Sequence, residues 1–173
     1  MSSQEALRDL PVRQAEAGQP ASPGRSWLAV ESAGRSFLFP LSEAGEIFPM
    51  TPLMPVPHAQ AWFLGVANLR GGLYGVVDLA SFVGGGAPAA RPDHIRAESR
   101  LVALNTALEV NCALLIDRLA GLRNLDAFTA SARAPEGSPA FFGSGYTDAG
   151  GAYWQEINLQ ALSQQPQFLS ISA

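Results

Sequence analysis

Short apolar runs, separated by glycine, proline and polar turn residues, dominate the chain from Trp27 onward. Trp27–Glu31 and Arg35–Leu41 are two such runs, and the intervening Ser32-Ala33-Gly34 is typical of a hairpin turn. Runs of this length, rich in aromatic and aliphatic residues, favour strands over helices. The pattern therefore predicts that the folded part of the chain begins with a β-hairpin.

A second hairpin is predicted from Trp62–Leu69 and Leu73–Asp78, with a tight turn at Gly71-Gly72. The residues that follow, Leu79–Val83, are predicted to form a helical turn. Asp78 stands immediately before them, and a carboxylate at that position can accept the free amides of a first helical turn. We therefore assign Asp78 mainly a structural role, as a helix N-cap.

Prolines interrupt the segment Ile47–Val56, which lies between the two predicted hairpins. Proline lacks the amide donor of a strand ladder, so within sheets it is confined to edges and bulges. The segment is therefore predicted to be either an edge strand or a loop crossing. The preceding Glu43–Glu46 is polar and is not assigned to a strand.

The second half of the chain repeats this plan at an offset of about 80 residues. Three pairs of motifs recur in order: Phe63-Leu64-Gly65 with Phe141-Phe142-Gly143, Gly71-Gly72 with Gly150-Gly151, and Val77-Asp78-Leu79 with Ile157-Asn158-Leu159. Further elements are predicted as strands Arg100–Asn105, Val110–Ile116 and Tyr153–Asn158, and a helix Leu159–Leu162 that Pro166 stops. A unit of about five short strands used twice predicts a mostly β fold of two small five-stranded barrels, packed together with a groove between them.

Two segments lack this strand pattern. Residues 1–25 are predicted to be a flexible N-terminal tail, in which Ser3–Ala17 has little apolar support for a helix. Gly84–Pro92, rich in glycine, alanine and proline, is predicted to be a linker. The folded domain is therefore assigned to residues 26–173.

Composition narrows the class of partner. Of the 173 residues, 47% are hydrophobic and only 15% are charged, and the net charge is −4. The basic residues are all arginines and are scattered, whereas a phosphate-binding face needs clustered cations, so nucleic acid is not expected as a partner. A surface poor in charge suits docking onto other proteins. No stretch approaches the roughly 18 apolar residues of a membrane span, so we expect a cytoplasmic protein without direct membrane insertion.

Residues with catalytic or metal-binding chemistry are few and far apart. Cys112 lies in an apolar run, which predicts a buried structural thiol. His58 and His94 are distant from each other and have no acidic or cysteine neighbours at ligand spacing. Gly143-Ser144-Gly145 lacks the wider frame of a nucleophile elbow. No catalytic residue, metal or cofactor is therefore predicted.

A set of ordered motifs in the first half resembles the hallmark of the CheW family of chemotaxis coupling proteins. The set consists of Gly65, then Asn68-Leu69-Arg70-Gly71, then Val76-Val77-Asp78-Leu79. Upstream, Gly45-Glu46-Ile47 and the proline-rich Pro52–Pro57 are similar to the elements that precede this hallmark in the family. A single motif would carry little weight, but the ordered set with its spacing is specific.

The resemblance runs from about Trp27 to about Leu162, including Leu114–Arg118 in the second half. Within the family, the chain is most similar to the PilI branch, the adaptors of chemosensory systems that control type IV pili and twitching motility. This finer resemblance rests on the tail at residues 1–25, on Ala61-Trp62, and on Tyr153-Trp154-Gln155-Glu156 with Gln167-Phe168-Leu169. The resemblance implies two intertwined SH3-like barrels.

The resemblance also implies a non-catalytic adaptor. Its expected partners are the CheW-like regulatory domain of a CheA-type histidine kinase and the cytoplasmic tip of a methyl-accepting chemoreceptor. Binding to these partners would recruit the protein to chemoreceptor arrays at the membrane. When the partner-binding positions of the family's motif are transferred to this sequence, the expected partner-binding residues are Glu46, Gly65, Asn68, Leu69, Arg70 and Gly71.

For several of these residues the sequence leaves structural alternatives open. Arg70 has a planar donor fork for carboxylates or carbonyls, or it merely ties down the turn. Glu46 either binds a partner or pairs internally with an arginine. Asn68 is favoured to satisfy local backbone groups. The apolar residues around Arg70 have two interpretations: either all of them are core, or strand alternation puts some of them on the opposite face, where a partner helix can contact them. These residues are Val66, Leu69, Leu73 and Tyr74.

Two other functions remain open at this point. One is a CheW-like regulator that binds only the kinase or only the receptor, which binding stoichiometry would distinguish from an adaptor. The other is an enzyme of unrecognised type, which would need a convergent polar pocket that no motif indicates.

Overall fold

The computed structural model describes residues 26–84 and 97–169, and the structural account concerns those residues. The predicted tail at residues 1–25, residues 85–92 of the predicted linker and His94 lie outside the described part. Short strands make up most of what is described.

The strands, numbered along the chain, are β1 (Ser26–Ser32), β2 (Arg35–Pro40), β3 (Ala44–Pro49), β4 (Phe63–Leu69), β5 (Gly72–Asp78), β6 (Arg100–Leu104), β7 (Cys112–Ile116), β8 (Arg118–Asn124), β9 (Phe128–Ala132), β10 (Phe142–Asp148) and β11 (Tyr153–Ile157). The helices are α1 (Leu79–Val83), α2 (Leu159–Ser163) and α3 (Pro166–Leu169). Single turns of 3-10 helix lie at Thr106–Leu108 and Leu125–Ala127.

The strands form two sheets. One has five strands in the order β3-β6-β7-β5-β4, and the other has six in the order β9-β10-β11-β2-β1-β8. This confirms the predicted mostly β fold of two small SH3-like barrels, which we call the five-stranded and the six-stranded barrel. The six-stranded barrel has one strand more than predicted, because β9 adds to its edge.

Each barrel is built from both halves of the chain. In the six-stranded sheet β11 pairs in parallel with β2, so that Gln155 lies opposite Phe37. In the five-stranded sheet β5 pairs in parallel with β7, with Gly75 opposite Cys112. The repeat of about 80 residues is therefore not itself a barrel, since each half contributes strands to both sheets.

Three apolar clusters form the core of the part of the chain that the structure describes, and alternating residues of one strand enter different clusters. Trp27 and Ala29 of β1 lie in the interior of the six-stranded barrel, whereas Leu28 and Val30 face a larger cluster that both barrels share. The interior of the five-stranded barrel holds Phe48 and its neighbours. Strands buried on both faces explain why the sequence shows continuous apolar runs there rather than alternation.

Cys112 is one of the residues of the shared cluster and is 4% exposed. Its burial raises the pKa of the thiol to about 12. The thiolate, the reactive form, is therefore not populated near neutral pH. The prediction of a buried structural thiol is confirmed.

Two hairpins use two-residue turns with positive φ at both positions, which matches the right-handed twist of the flanking strands. In the first hairpin φ is 50° at Ala33 and 78° at Gly34, and in the second it is 51° at Arg70 and 80° at Gly71. The predicted turn at Gly71-Gly72 is therefore wrong by one residue, because Gly72 already belongs to β5 and pairs with Leu69.

The helix ends differ from prediction in two places. Asp78 occupies the N-cap position of α1, but its carboxylate caps no helix amide; its Oδ2 accepts a hydrogen bond from the Ser81 hydroxyl at 2.9 Å. Pro166 does not act only as a stop, since it is the first residue of α3, where its missing amide costs nothing.

Three strands of the second half, β8, β9 and β10, were not predicted. β9 is almost wholly exposed, so it has no apolar face that could form a pattern. β10 contains Gly143 and Gly145, and glycine weakens a strand signal. A Cβ at Gly145 would lie 2.6 Å or closer to three atoms at the end of the Tyr153 side chain, so a larger residue there would displace that exposed ring.

Asp148 organises the turn between β10 and β11. Its Oδ1 accepts hydrogen bonds from the amides of Gly150 and Ala152, both at 2.9 Å, and its Oδ2 accepts one from the Trp154 indole at 3.0 Å. The hydrogen bond from Trp154, with those from the backbone amides, lowers the pKa of Asp148 below its ordinary value. The ionised carboxylate therefore stabilises the turn.

We expect Asp148→Asn to remove an acid-sensitive part of the stability. Because the folded-state pKa of Asp148 is lowered, its contribution is fully present above the unfolded-state pKa near 3.8 and is lost as pH falls through the folded-state pKa. In urea unfolding from pH 7 downwards, the wild-type midpoint should exceed that of the variant, and the gap should narrow below about pH 4. A gap of constant size across this range would contradict the assignment.

Candidate functional site

An exposed ion pair joins the two edges of the five-stranded sheet. The Arg70 Nε donates to both Glu46 carboxylate oxygens, at 2.8 Å to Oε1 and 2.6 Å to Oε2, and the Arg70 Nη2 lies 2.5 Å from Oε2. Glu46 lies on β3 and Arg70 follows β4, which are the opposite end strands of this sheet. The pair therefore lies where the sheet curls round on itself to form the barrel.

The ion pair borders a shallow depression of about 230 Å³. Its walls come from β3, from the Arg70 turn with β5, and from the end of β6 with the 3-10 turn that follows. The lining residues are Gly45, Glu46, Phe48, Arg70, Tyr74, Ala103, Leu104, Asn105 and Thr106. The rings of Phe48 and Tyr74, with centroids 6.4 Å apart, form part of its apolar floor.

A bulge in β3 presents Glu46 to this depression. The register between β3 and β6 shifts between Ala44 and Ile47, so Gly45 and Glu46 lie in the irregular part of the strand. A Cβ on Gly45 would lie 2.9 Å from the carbonyl oxygens of Ala103 and Leu104. Glycine at this position therefore lets the bulged strand approach β6 closely enough to form the depression.

The turn conformation fixes the position of Arg70. Its φ of 51° lies in the left-handed region, which costs a residue other than glycine about 1–2 kcal/mol. The hydrogen bond and the charge of Glu46 raise the pKa of Arg70 above its ordinary value. The side chains of Arg70 and Glu46 are 72% and 44% exposed, so the pair is accessible to a partner and contributes little to stability in water.

Asn68 and Gly71 shape the same turn. The Asn68 Oδ1 accepts a hydrogen bond from the Gly71 amide at 3.0 Å, which is the local backbone role that the sequence favoured. A Cβ on Gly71 would meet no atom within 4 Å, so its requirement for glycine comes from its φ of 80° alone. Both residues therefore help to hold the turn that carries Arg70.

Gly65 and Leu69 lie inside the structure. Gly65 has a φ of 138°, and a Cβ there would lie 2.4 Å from the carbonyl oxygen of Met54. Gly65 thus makes room for the proline-rich segment, which crosses β4 with Met54 bridged to Val66. Leu69 is 3% exposed and packs in the interior of the five-stranded barrel. Neither residue offers a surface contact in this conformation.

Apolar residues on the five-stranded barrel are exposed near the ion pair. Leu73, which follows the Arg70 turn, is 56% exposed, and Ile47, next to Glu46, is 37% exposed. The sequence nominated Leu73 and Tyr74 as possible partner contacts. It missed the contribution of Asn105 and Thr106, since no local signal connects them with a hairpin more than 30 residues earlier in the chain.

The depression contains few titratable groups. Its titratable members are the paired Glu46 and Arg70 and the phenol of Tyr74. Among the described residues, no group of three or more His, Cys, Asp or Glu side chains could hold a metal ion. The arrangement can bind carboxylates or carbonyls through Arg70, amines or amides through Glu46, and apolar side chains through Phe48, Tyr74 and Leu73.

Two packed barrels with an open, partly apolar surface site define a β-barrel protein with a surface suited to contact with other proteins. The CheW-like domain model matches residues 26–167, and the chain therefore belongs to the CheW-like family. In the parts of the chain that the structure describes, no helix is long and apolar enough to cross a membrane.

Similar proteins agree with this assignment. Protein PilI of Pseudomonas aeruginosa is 29% identical over 131 residues, which cover 73% of this chain and 70% of PilI. Chemotaxis protein CheW of Rhizobium meliloti is 34% identical over 85 residues, covering 47% of this chain and 55% of that protein. The crystal structure of the scaffolding protein TtCheW from Thermoanaerobacter tengcongensis superposes with a TM-score of 0.65 at 16% identity, covering 83% of this chain and 94% of TtCheW. This last likeness concerns the fold.

Proposed function

We propose that this protein is a non-catalytic adaptor that couples methyl-accepting chemoreceptors to a CheA-type histidine kinase. The similarity to PilI supports an array that controls type IV pili and twitching motility. In this proposal the protein lies in the cytoplasm and is recruited to receptor arrays at the membrane. Its membership of the CheW-like family supports this kind of partner and a role without catalysis.

The single observation that carries the proposal is the exposed Arg70–Glu46 pair, which borders a depression lined also by the apolar rings of Phe48 and Tyr74. An exposed ion pair adds little to folding stability, whereas a charged fork held beside apolar side chains is well suited to recognition. Arg70 also adopts a conformation that asparagine or glycine would adopt at lower cost, so folding alone does not favour arginine there.

The first experiment is calorimetric titration of the full chain with the CheW-like regulatory domain of the kinase, followed by titration with the receptor tip. Saturable one-to-one binding of each is expected. Binding of only one of the two would support a single-partner regulator instead. If neither the kinase domain nor the receptor tip bound at high concentration, the proposed function would be contradicted.

Arg70→Ala is expected to weaken receptor-dependent kinase stimulation by about tenfold while leaving thermal unfolding nearly unchanged. Arg70→Asn should have the same effect on stimulation, and because asparagine tolerates positive φ, a loss in this variant cannot come from a distorted turn. Arg118→Ala is the matched control, since Arg118 forms a similar but somewhat less exposed ion pair with Glu31 on the six-stranded barrel. Undiminished stimulation in both Arg70 variants would overturn the role assigned to this residue.

A further inference from the structure

Strand β9 is an unusual edge of the six-stranded sheet. In the described part of the chain it pairs with β10 alone and ends the sheet. Thr129, Ala130, Ser131 and Ala132 are all exposed, so both faces of the strand meet solvent and only Phe128 is partly buried. A strand with no buried face gains little stability from side-chain packing. The backbone hydrogen bonds to β10 are therefore the main interactions that hold β9 in place.

The outer edge of β9 carries little protection against pairing with another strand. Natural edge strands are usually blunted by charged residues, prolines or bulges. Of these devices the strand Phe128–Ala132 has only one, a shift of its register with β10 between Phe128 and Ala130. It contains no charge and no proline, and beyond the shift the small side chains of Ala130, Ser131 and Ala132 let another backbone approach. At its base lies a shallow depression of about 240 Å³, which includes Leu125 and Phe128 in its lining.

The charges that flank β9 are self-complementary for an antiparallel arrangement. Asp126 precedes the strand and Arg133 follows it, and both residues are exposed. Within the described ranges neither side chain has an ion-pair partner. When a strand pairs antiparallel with its own copy, each end lies beside the opposite end of the partner. Asp126 of each chain would then lie beside Arg133 of the other.

We infer that β9 is a self-association edge, through which two copies of this chain pair antiparallel about a two-fold axis. The contact joins two sheets into one continuous sheet, and its two ends carry Asp126–Arg133 ion pairs between the chains. A single edge of five residues buries much less area than the roughly 1,200 Å² of a stable interface, so the dimer is weak and depends on concentration. This self-association is independent of the partners proposed for the five-stranded barrel.

The test is sedimentation velocity of the full chain from about 10 µM to about 1 mM at low salt, where exposed charges are least screened. The wild type should shift from monomer towards dimer over this range. Asp126→Lys places positive charge at both ends of β9 and Arg133→Glu places negative charge at both, so each variant alone should dimerise about tenfold more weakly. An equimolar mixture of the two variants should recover association, because the opposed charges are again complementary.

Glu98→Lys, at an exposed position away from β9, is the control for a change of charge of the same size and should dimerise like the wild type. Circular dichroism checks that each variant keeps the fold. A wild type that stays monomeric at about 1 mM would overturn the inference, as would single variants that associate normally. Failure of the mixture to associate would exclude the antiparallel geometry and with it the proposed edge.

Discussion

Replacing Gly65 by alanine is expected to destabilise the protein by about 3 kcal/mol, through two effects that act together. Its φ of 138° lies in a region that residues with a Cβ rarely adopt, and the added Cβ would lie 2.4 Å from the Met54 carbonyl oxygen. That oxygen cannot move away freely, because it accepts the Val66 amide at 2.9 Å. The proline-rich crossing would therefore have to detach from β4.

Gly34→Ala separates the two effects. Gly34 also has a positive φ, 78°, but a Cβ there would meet no atom within 4 Å. We expect this control to cost only about 1–2 kcal/mol, the price of the backbone conformation alone. Chemical unfolding of both variants measures the difference, and equal losses would show that the crowding at Gly65 is relieved by a small shift.

Because Gly65 also lies in the motif that resembles the CheW hallmark, Gly65→Ala should reduce partner binding as well. The loss of partner binding should arise from the increased unfolded fraction and from the displacement of Met54. It should not arise from a lost contact with Gly65, because Gly65 itself is buried. Gly65 is thus expected to act as a structural residue of the site rather than as a contact.

Trp62→Ala is expected to cost about 3–5 kcal/mol, as for other large side chains removed from a core. Trp62 is 6% exposed and belongs to the cluster that both barrels share. Its ring stacks on Phe168 of α3, with centroids 6.2 Å apart, and meets Phe82 of α1 edge-on at 4.9 Å. Removing it leaves a cavity between elements from the two halves of the chain.

The shared cluster also predicts how the variant unfolds. Since each barrel takes strands from both halves, neither can persist when the other is lost, so Trp62→Ala should unfold in one transition at a lower denaturant concentration. Leu73→Ala is the control, because Leu73 is 56% exposed and its loss should change stability by less than about 0.5 kcal/mol. Two separated transitions in Trp62→Ala would contradict the shared core.

The sequence by itself determined the strands that have strong apolar patterns. β1, β2, β4 and β5 were predicted to within a few residues, because aromatic and aliphatic runs between turn residues are a local property. β9 and β10 escaped prediction, since small residues and glycines carry no such pattern and these strands depend on pairing with neighbours. The residues of the site were nominated in the same way, from a local motif.

Only the tertiary structure decided how these parts combine. The sequence left open whether Glu46 pairs internally, and the structure joins it to Arg70 because the curl of the sheet brings β3 and β4 together. It also decided that Leu69 faces the barrel interior while Leu73 faces solvent. Local pattern specifies that a segment is a strand and which residues are apolar. Which strands become neighbours in a sheet depends on contacts between segments that are distant in sequence, such as β2 with β11. No local pattern contains that information.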